Sequence, residues 1–224
     1  MNFRLLAVAM GLALLLAACG PAPQLRNENF LQDTSYLTED PCGPPCWRGI
    51  TPGETSWSEA LTIIEDDPSL AELRTEADEN SSIIAAVWAP QDGDGCCQMY
   101  TEDGDTVEIV ILQTAPQATL GQVIEKWGEP EYVIGEPFSQ DQAVFSLFYP
   151  DLRMLIYAFV EGETGALSAA SEVIGFGYFA ETRMELLLNA SSLHVWEGYQ
   201  SYADYMDSEF EVTPSITLTP LPEN

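Results

Sequence analysis

Positive charge is what this chain has least of. It carries 7 Lys and Arg against 36 Asp and Glu, a formal net charge of -29. A surface this negative repels phosphate backbones, and no basic cluster exists anywhere to override it, so nucleic acid is excluded as a partner. Histidine is almost absent as well. His194 is the single one, so a multi-histidine metal cluster is impossible, and any Ser-His-acid triad has to use that residue. Ser191 and Ser192 lie beside it, but no G-x-S-x-G elbow is present, and His194 reads as structural. No apolar run reaches the roughly 20 residues that a membrane-spanning helix needs. What remains is a chain 46% hydrophobic and 10% aromatic, which is a folding composition and not that of a disordered acidic polymer.

The two ends speak first. Residues 1–18, MNFRLLAVAMGLALLLAA, have one early cation, Arg4, then an unbroken apolar stretch ending on small residues, the grammar of a secretory signal peptide. Leu16-Ala17-Ala18-Cys19 resembles the lipobox of bacterial lipoproteins, which implies that Cys19 becomes the lipidated first residue of the mature protein. The expected location is extracytoplasmic, held to a bacterial membrane by the acyl chains; plasma or outer membrane is left open by Gly20. Residues 19–40 are rich in Pro, Asn, Gln and acids without periodicity, and are expected to be a flexible tether. Residues 207–224 alternate Thr and Pro and are expected to be a disordered tail.

Four cysteines remain after Cys19: Cys42, Cys46, Cys96 and Cys97. An exported chain keeps disulfides, and an even set implies two bridges. Adjacent Cys96 and Cys97 point apart if both lie on an extended strand, so bridges crossing from them to Cys42 and Cys46 are expected. Cys42-Gly-Pro-Pro-Cys46 has one residue too many for the redox dithiol spacing and follows no strand, so it reads as a staple at the start of the domain.

Between the ends, SWSEALTIIEDD opens with Ser56 and Glu59 at capping-box spacing and sets Trp57, Ala60, Leu61 and Ile64 on one helical face. Ser69 and Glu72 propose a second, shorter helix in SLAELRTEA. TLGQVIEKWGEP repeats the first pattern, with Thr119 and Gln122 as the box, Leu120, Val123, Ile124 and Trp127 as the stripe, and Gly128 as the stop. Strands are expected after each copy: IIAAVW and a hairpin turning at Asp103-Gly104 after the first, then YVIGEPF, AVFSLFY, LRMLIYAF and SEVIGFGYF after the second. The fold class expected is α+β, two tandem helix-plus-antiparallel-sheet units over residues 41–115 and 116–206, pinned by disulfides. A closing helix over HVWEGYQSYADYM is expected to lay Trp196, Tyr199, Tyr202 and Met206 on one face. Exposed, Trp196, Tyr199 and Tyr202 are the first candidates for partner contact.

The run TLGQVIEKWGEP followed by FSLFYPDLRMLIYAF, and more distantly GITPGETSWSEAL, resembles the small envelope lipoproteins of the BamE (SmpA/OmlA) group, and tandem units of this kind with two disulfides resemble the β-lactamase inhibitor protein family. The first copy lacks the Gly-x-Pro after its helix, and the basic lipid-contacting residues of the group have no counterpart. The resemblance implies a non-enzymatic lipoprotein that works by protein contact, and no individual binding residue is carried over. No cofactor is expected. The turns bearing Asp92, Asp94, Asp103 and Asp105 are the alternative, as oxygen ligands for Ca²⁺, but Cys96 and Cys97 break the EF-hand pattern and Gly-Asp runs are ordinary turn chemistry. A ligand- or calcium-binding module, and more remotely a thiol-redox or hydrolytic enzyme, are the competing functions.

Overall fold

The computed structural model describes residues 25–77, 82–139, 142–161 and 165–206. The segment read as a signal peptide, Cys19 and the segment read as a Thr/Pro tail lie outside these residues. Two short helices come first, α1 (Ser35–Thr38) and α2 (Trp57–Glu65), followed by β1 (Leu70–Ala77), β2 (Ile84–Pro90), β3 (Cys97–Thr101) and β4 (Ile109–Thr119). Helix α3 (Leu120–Trp127) then leads into β5 (Tyr132–Ser139), β6 (Gln142–Tyr149), β7 (Met154–Glu161) and β8 (Glu172–Phe179). The chain closes with α4 (Glu181–Ala190), β9 (His194–Val195) and α5 (Tyr202–Tyr205).

Both capped helices form as their sequences dictate. Ser56 accepts a hydrogen bond from the Glu59 amide, and Thr119 with Gln122 makes a reciprocal capping box. Gly128, at φ 84°, ends α3 by donating its amide to Ile124.

The expectation of two helix-plus-sheet units is overturned. All nine strands belong to one antiparallel sheet in the order β1-β2-β3-β4-β8-β7-β6-β5-β9. The join is β4 on β8, where Val110 pairs with Tyr178 and Leu112 with Phe176, all four nearly inaccessible to solvent. Two separate sheets would leave those edges unpaired, each a row of unsatisfied backbone groups. Gly175 permits the close seam, since a Cβ there would lie 2.6 Å from the Leu112 carbonyl oxygen.

One face of this sheet carries the main core. Trp57, Ala60 and Ile64 of α2, Leu120 and Val123 of α3, and Tyr202 and Tyr205 of α5 pack on Trp88, Met99, Leu112, Phe145, Ile156 and Phe176. The other face has a smaller cluster under α4, where Met184 meets Phe148, Leu155 and Phe179.

Three further expectations are corrected. SLAELRTEA is the edge strand β1 and not a helix: its amides pair with β2 from Leu70 to Ala77, and long-range pairing overrides the local capping signal. The aromatic series near the C-terminus is not one helix but β9, a turn and α5. The segment read as tether is folded from Leu25 onward. Leu25, Leu31 and Tyr36 are buried, the Ala115 amide donates to the Leu31 carbonyl, and the Tyr36 ring sits 4.7 Å from Phe176. These scattered apolar residues have no helical or strand period because they pack singly, Leu31 beside β4 and Tyr36 on Phe176 of β8.

The crossing disulfides are corrected too. Cys42 is bonded to Cys46, and Cys96 to Cys97. Cys96 precedes the first residue of β3, so strand alternation does not separate the two sulfurs. Cys42-Gly-Pro-Pro-Cys46 is a staple, but one that closes only on itself. Trp47 directly after it stacks on Trp88 at 5.6 Å and donates its indole N–H to Asp33 at 2.9 Å.

Candidate functional site

Strand alternation puts Gln98 and Tyr100 of β3, Gln113 of β4, Tyr157 and Phe159 of β7 and Glu136 of β5 on the face opposite the main core. Helix α4 covers the part of that face over Phe148, Leu155 and Phe179, and Ile109, Tyr132, Ile134 and Tyr157 pack against that cluster from its rim. The rest is floored by Gly175 and Gly177 of β8 and walled by half-buried tyrosine, glutamine and glutamate side chains.

The electrostatics of this face are those of a low-dielectric acidic surface. Burial holds the Glu136 carboxyl above its ordinary value, and no ion pair holds it among the described residues. Burial, helped by the charges of Glu136 and Tyr100, keeps the Tyr157 phenol protonated far into alkali. Burial also raises Tyr100, whose hydroxyl donates to Gln98 Oε1 at 2.5 Å. Two neutral phenols, two amides and a carboxylate without a cation offer acceptors and aromatic faces to a cationic or hydrogen-bonding group.

Five of the six cations in the described residues are paired elsewhere, and the sixth, Arg74, is exposed on the edge strand β1. Arg26 pairs with Glu172, Arg48 with Asp67 and Asp33, Lys126 with Glu39, Arg153 with Glu54, and Arg183 with Glu102 and Glu108. The excess carboxylates therefore face solvent without internal compensation.

A concave feature of about 290 Å³ opens beside α1 and is lined by Gln32, Asp33, Ser35, Thr38, Asp40 and Arg48. Its charges are already spent on the fold. Asp33 accepts from the Ser35 amide at 2.7 Å and from the Trp47 indole, and Arg48 reaches Asp67 and Ser69.

The residues singled out in the sequence divide differently. Asp103 accepts from Thr101 Oγ1 and the amides of Asp105 and Thr106, bonds that hold its carboxyl below the usual range; it is the cap of the β3–β4 turn. Asp94 receives Asn27 and Asn29 Nδ2 and pins the N-terminal segment. Asp92 sits in a left-handed turn conformation at φ 62°. Among the described residues no three His, Cys, Asp or Glu side chains converge as a metal site would require.

Of the aromatic candidates, Tyr202 is buried against Phe145 and Gly135 and cannot meet a partner. Trp196 is half-buried, stacked on Tyr205, while Tyr199 is exposed at its side. The open face itself was missed in the sequence. The i, i+2 pairs Gln98/Tyr100 and Tyr157/Phe159 carried the signal, but only strand order shows that β3 and β7 share a face. No protein-family model matches the chain, and no curated protein or solved structure is similar to it.

Proposed function

We propose that this chain is a lipid-anchored extracytoplasmic protein that works by contact, without catalysis, offering the uncovered face of its sheet to a basic protein of the envelope. The observation that carries the reading is Glu136, half-buried on the face opposite the main core, beside Tyr157 and without an ion-pair partner among the described residues. Support comes from the charge balance, since a net charge of -29 favours encounter with a positive surface and suppresses an acidic one. The lipobox at Cys19 supports the anchor and the location.

A photo-crosslinking amino acid at Gln98, on the bare face, and another at Leu186, on the outer side of α4, separate this reading from its rivals. In the native membrane the Gln98 probe should capture one basic envelope protein that the Leu186 probe does not. Binding of that protein, once purified, should weaken roughly tenfold with Glu136→Lys, because like charges face each other across a contact, and should weaken with salt. Capture indifferent to Glu136→Lys, or the same products from both positions, removes the reading.

A further inference from the structure

Lipid at Cys19 and a first buried residue at Leu25 leave little chain between membrane and fold. Leu25 is 7% exposed, Arg26 is bound to Glu172 at the start of β8, Asn27 and Asn29 hold Asp94, and Leu31 is bridged to Thr114. Five residues, Gly20 to Gln24, separate the anchor from this tied-down segment. Fully extended, the steps from Cys19 to Leu25 span at most about 20 Å. The domain therefore cannot roam, and the strand end that holds Leu25 must come first to the bilayer.

Register identifies what else lies at that end. Val173 of β8 pairs with Ala158, Glu161 at the end of β7 pairs with Gln142, and Ala143 pairs with Pro137 of β5. Phe138, at the irregularity after Pro137, is thus at the same end as Glu172, displaced sideways by three strand spacings, about 14 Å. It is 42% exposed. The opposite end of β5 carries Val195, paired with Tyr132 about 20 Å along the strand, and Tyr199, whose ring meets that of Trp196 next to Val195.

We propose that the short leash presses this strand end onto the lipid surface and seats Phe138 at the headgroup level, fixing the sheet upright with Tyr199 and Val195 facing away. An aromatic ring is suited to that depth, while Glu161 and Glu172 at the same rim favour a zwitterionic over an anionic surface. The inference rests on the lipidated reading of Cys19.

The test couples a maleimide lipid to Cys19 of the mature chain, so it does not depend on lipidation by the cell, and compares hydroxyl-radical oxidation of native side chains free in solution and on phosphatidylcholine–phosphatidylethanolamine vesicles. Phe138 oxidation should fall several-fold on the vesicles, with Tyr199 unchanged. A Gly-Ser insertion after Gln24 that triples the leash should restore Phe138 oxidation. Equal protection of Phe138 and Tyr199, or protection of neither, overturns the proposal. The mass of the N-terminal peptide from native membranes tests lipidation separately, so an unmodified Cys19 is distinguished from a wrong orientation.

Discussion

Leu31→Ala isolates the segment whose sequence reads as a linker. The side chain is 2% exposed, belongs to the main core, and its backbone is bridged to β4 through Thr114 and Ala115. The substitution leaves those backbone bonds intact and removes three buried carbons. Transfer at about 0.8 kcal/mol per methylene accounts for roughly 2.4 kcal/mol, and an unfilled cavity adds to it, so about 3 kcal/mol of destabilisation is expected. Gln32→Ala next to it is the control: Gln32 is exposed, and its side chain donates to the Glu28 carbonyl and accepts from Gln117 at the surface, so its loss should cost less than about 0.5 kcal/mol. Urea unfolding followed by tryptophan fluorescence reads both, with Trp47 and Trp127, which donate to Asp33 and to the Tyr36 carbonyl, as reporters in direct contact with the segment. A thermal shift of about 6–12 °C should accompany the Leu31 change in a chain of this size. If Leu31→Ala behaves like Gln32→Ala, residues 25–40 are not part of the core, and the leash argument fails with it.

Trypsin without reductant separates the cysteine pairs between Arg48 and Arg74. The fragments 27–48 and 75–126 should appear unlinked, each lighter by two hydrogens, and any cross-linked product contradicts the local bridges. In the chain-entropy picture the loop from Cys42 to Cys46 contributes only about 2 kcal/mol, so the double change to Ser should leave a folded protein, whereas bridges closing about 50 residues would be worth roughly twice that. Trp47→Phe keeps the stack on Trp88 but strips Asp33 of its indole donor, and should cost about 1–3 kcal/mol by calorimetry. Glu136→Gln tests the buried carboxyl through its sign. The folded state holds that proton more tightly than the unfolded one, so the parent loses stability as pH rises past the ordinary glutamate value of about 4.3. The variant should be the more stable near neutrality, with the gap closing in acid; the opposite ordering would refute the burial. Gly175→Ala should open the β4–β8 seam and destabilise by about 1–3 kcal/mol, and a silent change there denies the single sheet.

The parts of this fold legible in the sequence are those whose determinants are local. Ser56 with Glu59 and Thr119 with Gln122 announce their helices because a cap is satisfied within three residues. Asp103-Gly104 announces its turn because Asp103 bonds its own neighbours. What failed depends on partners far along the chain. Leu70 to Ala77 looked helical until β2 supplied its pairing, and Leu31 and Tyr36 looked idle until β4 and β8 arrived beneath them. Strand membership was readable for β2 through β8, but strand order was not, and with it went the bare face bearing Tyr157 and Glu136.

The β4–β8 seam also sets the order in which this protein can be made. Strand β8 begins at Glu172, long after β4 ends at Thr119, and the chain emerges N-terminus first. During that interval the free edge of β4 presents Val110 and Leu112 to whatever is nearby, with β1 to β3 already able to zip behind it. A chain in that half-finished condition is a template for aggregation. Fast maturation would thus depend on a holdase guarding that edge, or on the second half arriving before another copy does.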